Sequence, residues 1–236
     1  MERLPTWADA ASEAARRLAV ITAAGALAGL VVAGGGSRLA MFVLADLNPE
    51  ADGIQSDDDF TMGQFTGATL NLLLVTTLIG VFGAGVYAAV RGLRTGWRAF
   101  DLLGLTVGPA VVVAAIIVKT DGVDFTLLDP APLAIALFLA VPAAYCLALV
   151  LLAERWLRPE GAWARTGRWG YLPLALWIAI FPVFGALAAG WAIRQGIQRA
   201  GVRLDHPAVL WSARVGLVVV FALGLADLGR DTAELT

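Results

Sequence analysis

The chain has 236 residues, of which 59% are hydrophobic and 15% charged, with mean hydropathy +0.76 and a formal net charge of −2. Soluble domains are roughly half apolar and a quarter charged, so a water-soluble globule is excluded. The apolar runs are continuous and of helical length, unlike the short alternating strands of an outer-membrane barrel. Among the 17 Lys and Arg residues only Lys119 is lysine, and with abundant alanine and glycine this composition points to a GC-rich bacterial genome. The expected class is an all-α integral membrane protein of a bacterial inner membrane.

Residues 1–17 lack an apolar core followed by a small-residue cleavage site, so no cleaved signal peptide is expected. Leu4, Trp7, Ala11, Ala14 and Leu18 share one helical face, which predicts a short helix lying in the interface. Stretches of about 20 apolar residues then predict about six transmembrane helices. They run near Leu18 to Leu47, Phe65 to Val90, Phe100 to Val118, Ala131 to Ala153, Tyr171 to Ile193 and Pro207 to Leu228. The organisation is an N-terminal cytoplasmic or interfacial segment (1–17), a polytopic domain (18–229) and a short cytoplasmic tail (230–236).

The first span is longer than one crossing requires and carries Gly34-Gly35-Gly36-Ser37-Arg38, so a kink or break is expected at the glycines. Gly25, Gly29, Ala33 and Ser37 form a small-residue stripe, and Gly80, Gly83 and Gly85 add a second, both suited to close helix approach. Pro109, Pro142 and Pro182 fall mid-span, where transporters place broken helices, although proline often only kinks a membrane helix. Asp129 before Pro130 and Asp205 before Pro207 predict capped helix starts. Cys146 lies in an apolar run and reads as a small buried residue.

Arginine in short loops sets orientation. With the N-terminus inside, the inner segments hold Arg3, Arg16, Arg17, Arg91, Arg94, Arg98, Arg155, Arg158, Arg165, Arg168 and Arg230, against Lys119, Arg194, Arg199 and Arg203 outside. An N-in/C-in topology is expected, with the loop from Arg194 to Asp205 running against the rule. Tryptophans near span ends, Trp97, Trp156, Trp163, Trp169, Trp191 and Trp211, form an aromatic belt. The interleaved arginines and tryptophans of the inner loops suit anionic lipid headgroups, not nucleic acid.

Three polar residues stand out by depth. Arg38 lies roughly 14 Å from the end of the first span at Leu47, Arg214 about 10 Å past Pro207, and Asn71 at a similar depth after Phe65. A cation in hydrocarbon costs several kcal/mol unless it snorkels, pairs or lines a wet cavity. If the first, second and sixth helices are neighbours, Arg38, Asn71 and Arg214 line an outward-facing site for a carboxylate, phosphate or lipid headgroup. The leading expectation is therefore binding or transport of a small anionic or lipid-like ligand.

The alternative is a non-catalytic subunit or scaffold whose glycine stripes assemble with a partner membrane protein or a second copy. Outer acids Asp57, Asp58, Asp59, Asp121 and Asp124 read as a solvated face; they match no EF-hand. The only histidine, His206, leaves a hydrolase as a third reading, and no catalytic residue, cofactor or metal site is assigned.

Overall fold

A computed structural model of the chain describes residues 7–51, 53–54, 67–94, 98–117, 129–180 and 207–235. Every regular element among them is helical. They are α1 (Trp7–Ala28), a π-helical turn (Gly29–Gly34), α2 (Gly35–Leu47), α3 (Gly67–Val90), α4 (Arg98–Ile117), α5 (Ala131–Trp156), a 3₁₀ segment (Gly167–Ile180) and α6 (Pro207–Leu235). Among the described residues three helices are long and apolar enough to cross a membrane, Asp9–Leu47, Gly67–Leu93 and Ala131–Trp156, with a shorter apolar stretch at Asp101–Ala115. Large apolar side chains such as Leu70, Leu74, Ile79, Leu151 and Leu223 point outward, as a bilayer solvent permits.

The first helix is widened but not broken. Its wide π turn ends on Gly34, the first glycine of the triplet, and the chain resumes regular α-helix at Gly35. Among the described residues, the amphipathic stretch from Trp7 onward is not a separate interfacial helix but forms the exposed first turns of α1 itself.

The π turn lies where α1 crosses α3. A Cβ at Gly25 would lie 2.6 Å from the Ala84 Cβ and closer still to the Gly80 carbonyl, and one at Gly34 would lie 2.7 Å from Thr76 Oγ1. Gly29 faces the Thr76 carbonyl and the Cα of Gly80. As residue numbers rise on the first helix they fall on α3, so the two are antiparallel, joined backbone to backbone as small residues allow. The glycines of both stripes are used within the chain.

Tyr145 of α5 sits against Gly83 and donates to the Gly80 carbonyl at 2.8 Å, while Tyr87 meets Glu154 one helical stretch further on, so α5 runs parallel to α3. Pro109 and Pro142 lie inside α4 and α5 without ending either helix. Pro142 and Cys146 are buried.

α5 starts at Ala131, as expected, but not through its aspartate. The cap position is Pro130, with no side-chain cap hydrogen bond. Instead Asn48, 1% exposed at the end of α2, accepts the Asp129 N–H at 2.9 Å and donates Nδ2 to the Asp129 carbonyl at 2.9 Å and to the Leu44 carbonyl at 2.8 Å. A buried amide that satisfies backbone groups on two segments fixes one against the other.

The last helix departs from the expected path. Gly108 of α4 lies beside Phe221 and Val112 beside Gly224, so α6 runs parallel to α4. Leu228 packs with Leu44, Ala45, Val111 and Ala134 at the Asn48 end. α6 therefore ends opposite the end at which α1 begins. Arg214 supplies the physical reason. On this path its guanidinium meets backbone carbonyls at the end of α3, where the opposite path would leave it at hydrocarbon depth.

Candidate functional site

Arg38 is 5% exposed. Its helix packs so that Met41 meets Leu72 and Ala68, which sets Arg38 beside the first turns of α3. Its Nη1 approaches Met41 Sδ at 3.7 Å, and its guanidinium carbon lies 5.4 Å from the centroid of the Phe42 ring. A polarizable sulfur and an aromatic face are both favourable neighbours for a cation.

Asn71 lies at a similar height on α3 but is exposed, on a different face of the helix. Thr69 is two residues away, about 200° around at 3.6 residues per turn, and is 6% exposed. Among the described residues its Oγ1 has no hydrogen-bond partner, an uncommon state for a buried hydroxyl. Polarity and depth along the sequence single out Asn71 and pass over Thr69, because a threonine in a membrane helix ordinarily bonds its own i−4 carbonyl. Thr76, Thr77 and Thr106 do so here.

Arg214 is not in this group. Its Nε donates to the Leu93 carbonyl at 3.0 Å and its Nη2 to the Arg94 carbonyl at 3.1 Å, with the Trp211 ring 5.4 Å beneath. From Leu72 to Leu93 is roughly 30 Å of helix at 1.5 Å per residue, so the two arginines sit at opposite ends of α3. Arg214 ties α6 to the chain reversal after α3.

That same end holds a polar hub. Glu154 of α5 takes both prongs of Arg91, from Nε at 2.6 Å and Nη2 at 3.1 Å, and accepts from the Tyr87 hydroxyl at 2.6 Å. Arg94 adds an Nη1 contact at 3.1 Å and reaches Asp101 of α4 at 3.8 Å. Three helix ends are thus tied by one bidentate pair and its neighbours. The hub is structural in position, drawing the ends of α3 and α5 together beside the start of α4.

Trp156 and Trp163 stack at 5.3 Å with a 25° interplanar angle, bracing the reversal after α5, and Trp163 donates to the Gly170 carbonyl at 3.2 Å. Trp177 is 2% exposed and donates to Thr22 Oγ1 at 2.9 Å, so it is a core residue and no part of the belt.

No protein-family model, no curated protein and no solved structure matches the chain. Function is therefore argued from these residues alone.

His206, Asp205, Pro182, Trp97, Trp191, Lys119, Arg194, Arg199, Arg203 and the acids Asp57, Asp58, Asp59, Asp121 and Asp124 lie outside the described residues. Among the described residues no group of three or more His, Cys, Asp or Glu side chains could hold a metal ion.

Proposed function

We propose that the chain is a multi-pass protein of a bacterial inner membrane that binds or moves a small anionic or lipid-like ligand, with Arg38 as the ligand's cation. The observation that carries this reading is the burial of a guanidinium, 5% exposed, on α2 in an otherwise apolar stretch of helix. Intramembrane arginines are costly and mark ligand or ion pathways. Thr69, whose buried hydroxyl is available to donate, replaces Asn71 in the proposed site. Arg214 leaves it, because its hydrogen bonds to the carbonyls of Leu93 and Arg94 account for it structurally.

The orientation proposed places the arginine-rich end in the cytoplasm. Arg16, Arg17, Arg91, Arg94, Arg155, Arg158, Arg165, Arg168 and Arg214 gather there, and Arg38 then lies toward the outer leaflet. The path of α6 supports an odd number of crossings, with the N-terminus inside and the C-terminus outside, in place of six.

The subunit reading loses its main support, because the glycine stripe that was to receive a partner helix is filled by α3.

The test is a thermal-shift screen of the purified protein against phosphate, short carboxylates and glycerophospholipids, repeated on Arg38→Gln and Thr69→Val. A ligand held through Arg38 raises the unfolding temperature of the wild type and binds the Arg38→Gln protein about tenfold or more weakly, as expected for one charge-assisted hydrogen bond. Equal shifts in wild type and variant would sink the proposal.

A further inference from the structure

At 3.0 residues per turn, side chains three apart on a 3₁₀ helix eclipse one another and form straight rows. The segment Gly167–Ile180 is uncommonly long for this winding and shows two such rows. Tyr171 and Trp177 face α1, where the Tyr171 hydroxyl lies 3.0 Å from Ser12 Oγ and the Trp177 indole donates to Thr22. Since Ser12 precedes Thr22, the segment runs parallel to α1, away from the arginine-rich end and into the apolar depth of the molecule. Trp169, Leu172 and Ala175 form the other row, which is exposed, Trp169 by 65% and Leu172 by 60%. It is about 12 Å long at 2 Å per residue.

Arg168 falls in register with Tyr171 but is exposed, and its guanidinium reaches the neighbouring row, its carbon 5.7 Å from the centroid of the Trp169 ring. Arg168, Trp169, Tyr171, Leu172 and Ala175 line an open cleft of about 350 Å³.

We infer that this cleft binds one anionic phospholipid of the arginine-rich leaflet, its phosphate on Arg168 and an acyl chain along Trp169, Leu172 and Ala175. The complementarity is directional. A lipid presents charge at headgroup depth and hydrocarbon below it, and the cleft has its cation at the end of the molecule and its apolar row leading inward. An indole at headgroup depth suits the boundary between the two. A free anion would find the guanidinium but would have no use for the row. This site is at the other end of the molecule from Arg38 and stands independently of it.

The experiment reconstitutes the full chain in phosphatidylcholine nanodiscs containing phosphatidylglycerol. The ratio of the two lipids retained after mild detergent extraction is then read by native mass spectrometry. The wild type is expected to retain phosphatidylglycerol preferentially, and Arg168→Gln to lower that preference about fivefold, the effect of one interfacial arginine. Ala175→Trp, which fills the cleft and leaves the cation in place, is expected to lower it as well. Arg158→Gln, an exposed arginine of the same end outside the cleft, is expected to leave the ratio unchanged. An equal loss in Arg158→Gln and Arg168→Gln would reduce the effect to general charge and overturn the site. Retention unchanged by Ala175→Trp, or displacement of the lipid by free glycerol phosphate, would overturn the acyl-chain half of the assignment.

Discussion

Glu154 shows how much one side chain does at the arginine-rich end. Its carboxylate collects Arg91, Arg94 and Tyr87, and its side chain is 30% exposed, so the ion pairs are only partly screened. Replacing it by Gln keeps the shape but removes the charge that two guanidinium groups share. The expected cost is about 2 kcal/mol, the range for hydrogen bonds to charged groups, read as a lower unfolding midpoint in detergent. Arg91→Gln in the same background should cost less than it does alone, because the two residues share one interaction. Additive losses would show that the pair contributes nothing as a pair. Glu154 and Arg91 were visible in the sequence only as charges near span ends. Their partnership was not, since it joins positions 63 residues apart.

The helices themselves were largely legible. Hydropathy over about 20 residues located α3 and α5 to within a few positions, and the prolines at 130 and 207 marked where α5 and α6 begin. The interruption of the first helix was anticipated at the triplet, and it reaches Gly34 but begins five residues earlier, at Gly29. The glycine count flags a weak helix, but the site of widening is set by where α3 presses against it. Two glycines separate these causes. A Cβ added at Gly35 would meet nothing within 4 Å, whereas one at Gly29 would lie 3.0 Å from the Gly80 Cα and closer to the Thr76 carbonyl. Gly35→Ala is therefore expected to stabilise the protein by up to about 1 kcal/mol through helix propensity. Gly29→Ala should destabilise it by about 1–3 kcal/mol through overpacking. Thermal unfolding of the two variants checks both signs, and a stable Gly29→Ala protein would contradict the close crossing of α1 and α3.

At the scale of the whole molecule, the direction of α6 is the main departure from expectation. Contacts of Gly108 with Phe221 and of Val112 with Gly224, and the hydrogen bonds of Arg214, all require α6 to run parallel to α4. In the orientation proposed above, with the N-terminus in the cytoplasm, this path puts the C-terminus outside. Alkaline phosphatase fused after Thr236 is expected to be active and a green fluorescent protein fused there dark. A fluorescent fusion would refute this path for α6.

Composition and hydropathy by themselves determined that this is a helical membrane protein, roughly where its principal helices lie and which end carries the arginines, because transfer into a bilayer is a local property summed along the chain. Only the tertiary structure decided that Thr69 and not Asn71 faces inward, that Arg214 caps the end of α3 and does not join Arg38, and that the glycine stripes are used internally. A helix turns 100° per residue and can be packed in either direction without changing its hydropathy. Facing and direction are therefore settled by contacts between distant segments.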